Sequence, residues 1–284
     1  LQRAQGTRSR AKVLETIGLL ARSIEGRHYD RFRGRLLFPI RDAQDRPVGL
    51  GGRVLPDSGT TSRAKYINSP ETPLFTKSDH LYGLDVARRA MRKSHVALVM
   101  EGYTDCIVAH QHGFDDAVAV LGTALTQRHV RVLKRFVDRI VLVLDGDEAG
   151  QRRANEVLTL FLAENVDLRI LTLPEGTDPA EFLEEHGSEA FGDLLATRAL
   201  DALEHAFVAK TQGLDVESDV HGASRALEEM LSILAAAPRL RYDTTGEHRL
   251  REEKTLARLA FKFRVPEPLV RQRLTALRRA AKRR

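Results

Sequence analysis

Asp145, Gly146 and Asp147 follow directly on Ile140-Val141-Leu142-Val143-Leu144. A run this apolar and β-branched reads as a strand buried on both faces. Its C-terminal end is where open α/β sheets hold their ligands. The glycine turn can aim both carboxylates at one point. Two carboxylates that close repel each other unless a cation sits between them. A hard, oxygen-binding divalent ion, Mg2+ or Mn2+, suits such a pair. The device recurs upstream, where Val96-Ala97-Leu98-Val99-Met100 runs into Glu101-Gly102-Tyr103-Thr104-Asp105. Glu101 falls at the strand end, and Asp105 lies in the first turn of the helix that follows. A third run, Leu168 to Leu173, leads to Asp178. Taken singly, an Asp-x-Asp is a turn or a helix N-cap. Asp178 before Pro179 also reads as a cap for the helix at Ala180 to Leu183. Three strand ends that each deliver acid form a far more specific signal.

Such ends meet only if the strands lie side by side. Strands are predicted at 96–100, 117–121, 140–144 and 168–173, with helices near 104–112, 126–136 and 149–164. This alternation implies parallel strands joined by crossovers, an α/β fold. Residues 1–80 read as an irregular α/β piece with a short helix over Lys12 to Leu20. Strands are expected there at Leu36–Ile40 and Pro47–Leu50, around a turn at Asp42 to Arg46. Gly49-Leu50-Gly51-Gly52-Arg53 superficially suggests a nucleotide-binding loop, but the helix such a loop needs is missing. From about residue 190 only helix is expected: Ala223–Ala236, Glu247–Phe263 and, after the break Val265-Pro266-Glu267-Pro268, Leu269–Ala281. Three units follow: 1–80, 81–190 and 191–284.

The chain has 284 residues, 42% of them hydrophobic, enough for two or three cores. No stretch reaches the roughly 20 apolar residues of a membrane helix, and no secretory signal is visible, so a cytoplasmic location is expected. The single cysteine, Cys106, rules out disulfide scaffolds and internal cysteine-zinc sites and reads as a small core residue. His110 and His112, two apart on a helix, point in different directions and are not a metal pair. Net charge is +6, but it is unevenly spread. Residues 1–65 hold 14 Lys/Arg against 6 Asp/Glu, residues 66–238 hold 16 against 28, and residues 239–284 hold 15 against 5. An acidic centre between basic ends suits a phosphate-rich polymer. The basic 278–284 segment itself reads as a solvated helix face or a disordered tail.

Several blocks resemble the bacterial-type DNA primase, specifically its RNA polymerase core. Tyr29-Asp30-Arg31-Phe32-Arg33, Leu37-Phe38-Pro39-Ile40-Arg41-Asp42, Gly51-Gly52-Arg53 and Lys65-Tyr66-Ile67-Asn68-Ser69-Pro70-Glu71-Thr72 are similar to the family's basic N-terminal subdomain. Leu81-Tyr82-Gly83-Leu84 is similar to the entry to its next module. Glu101 to Asp105, Leu121-Gly122-Thr123-Ala124-Leu125-Thr126 and Asp145 to Gly150 resemble the motifs of its Toprim module. The likeness runs from about residue 13 to 190, and the Lys65 to Thr72 block narrows a widely shared Toprim signature to primase. The resemblance implies a Toprim-type parallel sheet flanked by helices, with a basic α/β subdomain before it and a helical subdomain with a basic end after it. It implies template-directed synthesis of RNA primers from ribonucleoside triphosphates on single-stranded DNA at replication forks. Glu101, Asp145 and Asp147 would be the catalytic metal cluster, with Asp105 and Asp178 nearby, holding two or more Mg2+ or Mn2+ ions. Arg53, Lys65, Asn68 and Lys77 would line the groove for template and nucleotide. The family commonly shows Asp-Pro-Asp at its last acidic motif, whereas here Asp178-Pro179-Ala180 is followed by Glu181.

The chain starts at Leu1 and reads as a core cut at both ends. A zinc ribbon would precede it, so zinc is not expected within it, and a replicative helicase would be met through a C-terminal domain absent here. A monomer without membrane contact is expected. Nucleotidyl transfer needs no side-chain nucleophile, because two divalent ions about 3.5–4 Å apart can serve both the attacking and the leaving oxygen. Other readings from different classes are a Toprim nuclease, a topoisomerase and an inactive DNA-binding scaffold. Tyr242, in a polar stretch without a supporting motif, argues against a topoisomerase.

Overall fold

The computed structural model describes residues 8–56, 64–145, 160, 164, 166–174, 176–236 and 247–281. It opens with α1 (Arg8–Thr16) and a short hairpin, β1 (Leu20–Arg22) with β2 (His28–Asp30). The helix expected over Lys12 to Leu20 therefore sits earlier in the chain. Gly18 turns at φ 77°, and Leu20 already pairs with Asp30. An antiparallel sheet follows in the order β3 (Arg35–Arg41), β4 (Pro47–Val54), β5 (Tyr66–Asn68). The suspect glycine run lies inside β4 and is no nucleotide loop. Gly51 faces the ring of Tyr103, and a Cβ there would lie 3.0 Å from ring atoms Cε1 and Cζ. The missing side chain lets the sheet lie close against the next layer.

The main sheet comprises β6 (Val96–Met100), β7 (Ala117–Ala119), β8 (Arg139–Leu144), β9 (Asp167–Thr172) and β10 (Leu200–Asp201), ordered β10-β9-β8-β6-β7. Strands β6 to β9 run parallel. Helix α2 (Leu84–Ser94) leads in, α3 (Tyr103–Gln111) joins β6 to β7, and α4 (Gln127–Leu133) joins β7 to β8. Most of the helix expected over 149–164 lies outside the described residues. Helix α5 (Pro179–Arg198) follows β9. Only helix was expected beyond 190, yet β10 pairs antiparallel with β9 through Leu200–Ile170 and Asp201–Arg169. Two residues are too few to show a strand period in sequence.

Alternation along the strands divides two cores. Ala97, Val99, Ile140, Leu142 and Leu144 face one side with Val130 and Leu133 of α4. Leu98, Met100, Val141 and Val143 face the other, with Cys106 and Ala109 of α3 and Phe182 and Leu183 of α5. Burial on both faces explains the unbroken apolar runs. The remaining helices are α6 (Ala202–Thr211), α7 (Val220–Ala236), α8 (Glu247–Lys262) and α9 (Glu267–Ala281). They bring Met230, Leu234, Leu256 and Leu259 into the α4-side core. Asp201 accepts from backbone N–H groups of Leu203 and Glu204 and from Arg258 at 2.8 Å, which ties α8 to the sheet edge. Arg278 pairs with Glu252 at 2.8 Å with only 13% of its side chain exposed, so that part of the basic tail is packed rather than solvated. Among the described residues no helix is long and apolar enough to cross a membrane.

Gly51→Ala tests the close approach. Tyr103 is hemmed in by Phe38, Tyr66 and Tyr82, so the added methyl has nowhere to go. The expected loss is about 1–3 kcal/mol in chemical denaturation; unchanged stability would mean the ring has room to move.

Candidate active site

The chain leaves β6 for β7 on one side, then crosses back to β8 on the other. That reversal opens a crevice at the C-terminal ends of β6 and β8, the usual ligand position in such sheets. Val99 pairs with Leu142 across these strands, so Glu101 and Asp145 stand at neighbouring ends, with the strands about 4.8 Å apart. Both residues are half-buried. Gly102, in extended backbone at φ −126°, precedes α3 and places Asp105 in its first turn, 8% exposed. A Cβ on Gly102 would sit 2.7 Å from Asp105 Oδ2, so the glycine leaves space for that carboxylate. Asp178 caps α5, its Oδ1 accepting from the Glu181 N–H at 2.8 Å.

Burial, then the charges of Asp178 and Asp145, and lastly Glu181, push the Asp105 carboxyl from 3.8 up to about 7. Four acids therefore share one field. Ala180 brings no oxygen to it, while Glu181 lies near enough to act on Asp105. Asp147 lies outside the described residues. Among the described residues, no three His, Cys, Asp or Glu side chains are gathered tightly enough to hold a metal. The donor set still fits a hard divalent cation in its chemistry. It is all carboxylate, crowded, and partly shielded from water.

A cationic surface adjoins this edge. Arg53 and Lys65 are exposed and make no ion pair among the described residues. Arg53 Cζ lies 5.6 Å from the Tyr66 ring centre and Lys65 Nζ 5.8 Å from it. Asn68 Nδ2 donates to the Leu121 carbonyl at 2.9 Å, across 53 residues of chain. That bond ties β5 to the loop beyond β7. Asn68 Oδ1 and nearby Thr123 Oγ1 are buried without a hydrogen-bond partner. The backbone of Lys77 is fastened on both sides: its N–H donates to Glu71, and its carbonyl accepts from His129 Nε2 at 2.8 Å. Tyr103 packs on Phe38 at 4.7 Å and on Tyr66 at 5.3 Å. Its hydroxyl pKa is pushed up to about 12 by burial and then by Tyr66. Tyr66, Tyr103 and Arg35 carried no role in the sequence reading. A tyrosine flanked by lysine and asparagine in a short strand was the signal available for Tyr66.

Two family models match: "DNA primase catalytic core, N-terminal domain" over residues 1–88, and "Toprim-like" over residues 98–183. A DNA primase domain from Pseudomonas aeruginosa, solved by crystallography, superposes with a TM-score of 0.83 at 33% identity, covering 96% of this chain and 82% of that one. The chain belongs to the bacterial-type DNA primase family. A DNA primase from Neisseria meningitidis is 40% identical over 223 residues, covering 77% of this chain and 37% of its own. The chain thus spans well under half the length of that curated relative. A structure described as the DnaG primase catalytic domain bound to ssDNA matches with a TM-score of 0.72 at 32% identity, covering 90% of this chain and 80% of that one. The Toprim-like match encloses Glu101, Asp105, Asp145 and Asp178. The primase N-terminal match encloses Arg53, Lys65, Asn68 and Lys77. Toprim primases as a family generally use divalent metal ions.

Asp105 gives a pH signature. Between pH 3.8 and about 7 the folded chain holds a proton there that the unfolded chain releases. Metal-free stability therefore falls as pH rises through that window. In chelator, Asp105→Asn is expected to stabilise the protein at pH 7.5 by on the order of 1–3 kcal/mol. The gain should shrink towards pH 4. Denaturant melts at both pH values check this, and a variant less stable than the parent at pH 7.5 would contradict the crowded-acid account.

Proposed function

We propose that this chain is the RNA-polymerising core of a DNA primase. On a single-stranded DNA template it joins ribonucleoside triphosphates into short RNA primers by nucleotidyl transfer. Glu101, Asp145 and Asp147 hold Mg2+ or Mn2+, with Asp105 and Asp178 beside them. The observation that carries the reading is the Asn68–Leu121 bond, which fixes a cationic sheet against an acidic strand-end crevice. The DNA-bound relative supports the choice of template.

Divalent ions held by these carboxylates would supply the positive charge that nucleotidyl transfer needs. The chain's own residues do the rest. Arg53 offers a planar fork to phosphate oxygens, and Lys65 offers a mobile point charge. Asn68 holds the groove against the crevice through its bond to Leu121. Tyr103 keeps its proton at working pH, so it acts as packing and not as a base. A replicative helicase is the proposed partner in replication, and a monomer the proposed working state.

The deciding experiment incubates the chain with single-stranded template, ribonucleotides and Mn2+. RNA primers are the expected product; strand cleavage would make it a nuclease, and binding alone a scaffold. Asp145→Asn and Glu101→Gln should each lower synthesis by about 100-fold or more, with oligonucleotide affinity held within about twofold. Lys65→Ala and Arg53→Ala should each reduce the slope of log affinity against log salt by about 0.7. Near-normal priming by Asp145→Asn would remove the metal assignment.

A further inference from the structure

Arg35 stands in β3 at 9% exposure, so it does not present its charge to a ligand on the open surface. Its guanidinium points along the sheet. Nη1 donates to the carbonyls of Gly52 and Lys65, each at 3.2 Å, and Nη2 donates to the carbonyl of Ala64 at 2.9 Å. One side chain thus reaches from β3 past β4 to the start of β5. Gly52 makes the passage possible, since a Cβ there would lie 3.2 Å from Arg35 Cδ and 2.9 Å from Phe32 Cδ1.

The choice of carbonyls is what matters. Those of Ala64 and Lys65 belong to the peptide planes on either side of Lys65. That of Gly52 belongs to the plane leading into Arg53. Val54 N–H shares the Lys65 carbonyl at 2.9 Å, so β4 and Arg35 hold the same plane. Arg53 in turn pairs with Tyr66 across β4 and β5, and both cations bracket that ring. The three planes that aim Arg53 and Lys65 are therefore set by one buried fork. A lysine could not copy this, because its three donors on a flexible stem do not span carbonyls of two strands in fixed geometry.

We propose that Arg35 is a positioning residue for the cationic groove: it touches neither template nor nucleotide, and it registers Arg53 and Lys65 for phosphate contact. The proposal rests on the primase reading of that groove. A role confined to folding would lower stability alone. A positioning role also changes how affinity responds to salt, and it couples Arg35 to Lys65.

The test compares Arg35→Lys, Lys65→Ala and the double variant with the parent. Binding of a fluorescent oligothymidylate is measured across salt concentrations, alongside thermal melting and the KM and kcat of primer synthesis. Arg35→Lys should remain folded and lower the salt slope by about 0.7 to 1.4, the worth of one or two phosphate contacts on a single strand. KM for template should rise several-fold with kcat nearly unchanged. In the Arg35→Lys background, Lys65→Ala should cost much less than it does in the parent. Should Arg35→Lys fail to fold, Gly52→Ala replaces it. That change keeps the charge and crowds Arg35 Cδ off its carbonyls, and it should give the same loss of slope and the same coupling. Lowered melting with an unchanged slope and additive effects would overturn the positioning role while leaving the primase reading intact. A parent protein without salt-dependent oligothymidylate binding would overturn both.

Discussion

Tyr103 lies two residues after Glu101 and two before Asp105, and its ring is the contact on which the two sheets meet. It is 4% exposed and packs on Phe38, Tyr66 and Tyr82. Aromatic pairs of this kind each contribute about 0.5–1.5 kcal/mol beyond area burial. The segment that carries two of the acids is thus clamped at its middle by the sheet that carries the cations. Gly51 completes the clamp, because any side chain there would meet the ring. Distance between acidic crevice and cationic groove is then a property of packing, not of a flexible linker. Asn68 adds a directional bond to the same junction. Held apart in this way, the cations stay free for phosphate oxygens and the acids for a divalent cation, without neutralising each other.

What could be read in sequence follows from where packing leaves a periodic trace. Strands β6 and β8 are buried on both faces, so they appear as unbroken apolar runs, and the acids at their ends were visible with them. The hairpin of β1 and β2, along with β5 and β10, has two or three residues per strand. Nothing periodic can be seen over so short a span. Asn68 was legible as a polar residue of a basic block. Its bond to Leu121 is a long-range contact that no local pattern encodes. Arg35 was hidden for a related reason. It sits in a charged stretch with Arg31 and Arg33, and only the fold shows that it turns inward while Arg33 stays exposed, over Tyr29. Lys77 was grouped with the groove by the family resemblance; its backbone is fastened to α4 through His129.

Charge count is a poor guide to where a polyanion would sit. The C-terminal segment is as basic by composition as the N-terminal one. Yet Arg258, Arg271, Arg273 and Arg278 are all engaged with carboxylates. Lys262 pairs with Glu204 and lies 4.3 Å from the Phe207 ring centre. Those cations hold α7, α8 and α9 together and close the core beneath the sheet. Arg53 and Lys65 are left to solvent, and the field of the molecule is focused beside the acids. Paired charge at one end and open charge at the other direct binding more effectively than the total of +6.

The acidic crevice is the part of the fold that works against folding. Asp105 is almost fully buried next to like charges, and Gly102 gives up a side chain to admit it. One oxygen of Asp178 caps α5, and its charge adds to the field on Asp105. Such crowding persists only where surrounding structure over-determines it. Here two apolar cores, one on each face, hold β6 and β8, which pair in register as far as Val99 and Leu142. The strand ends cannot spread to relieve the repulsion without opening those cores. A divalent cation relieves it at no cost in packing. The same rigidity that makes the metal-free crevice unfavourable therefore keeps the carboxylates from drifting away from an ion once it arrives.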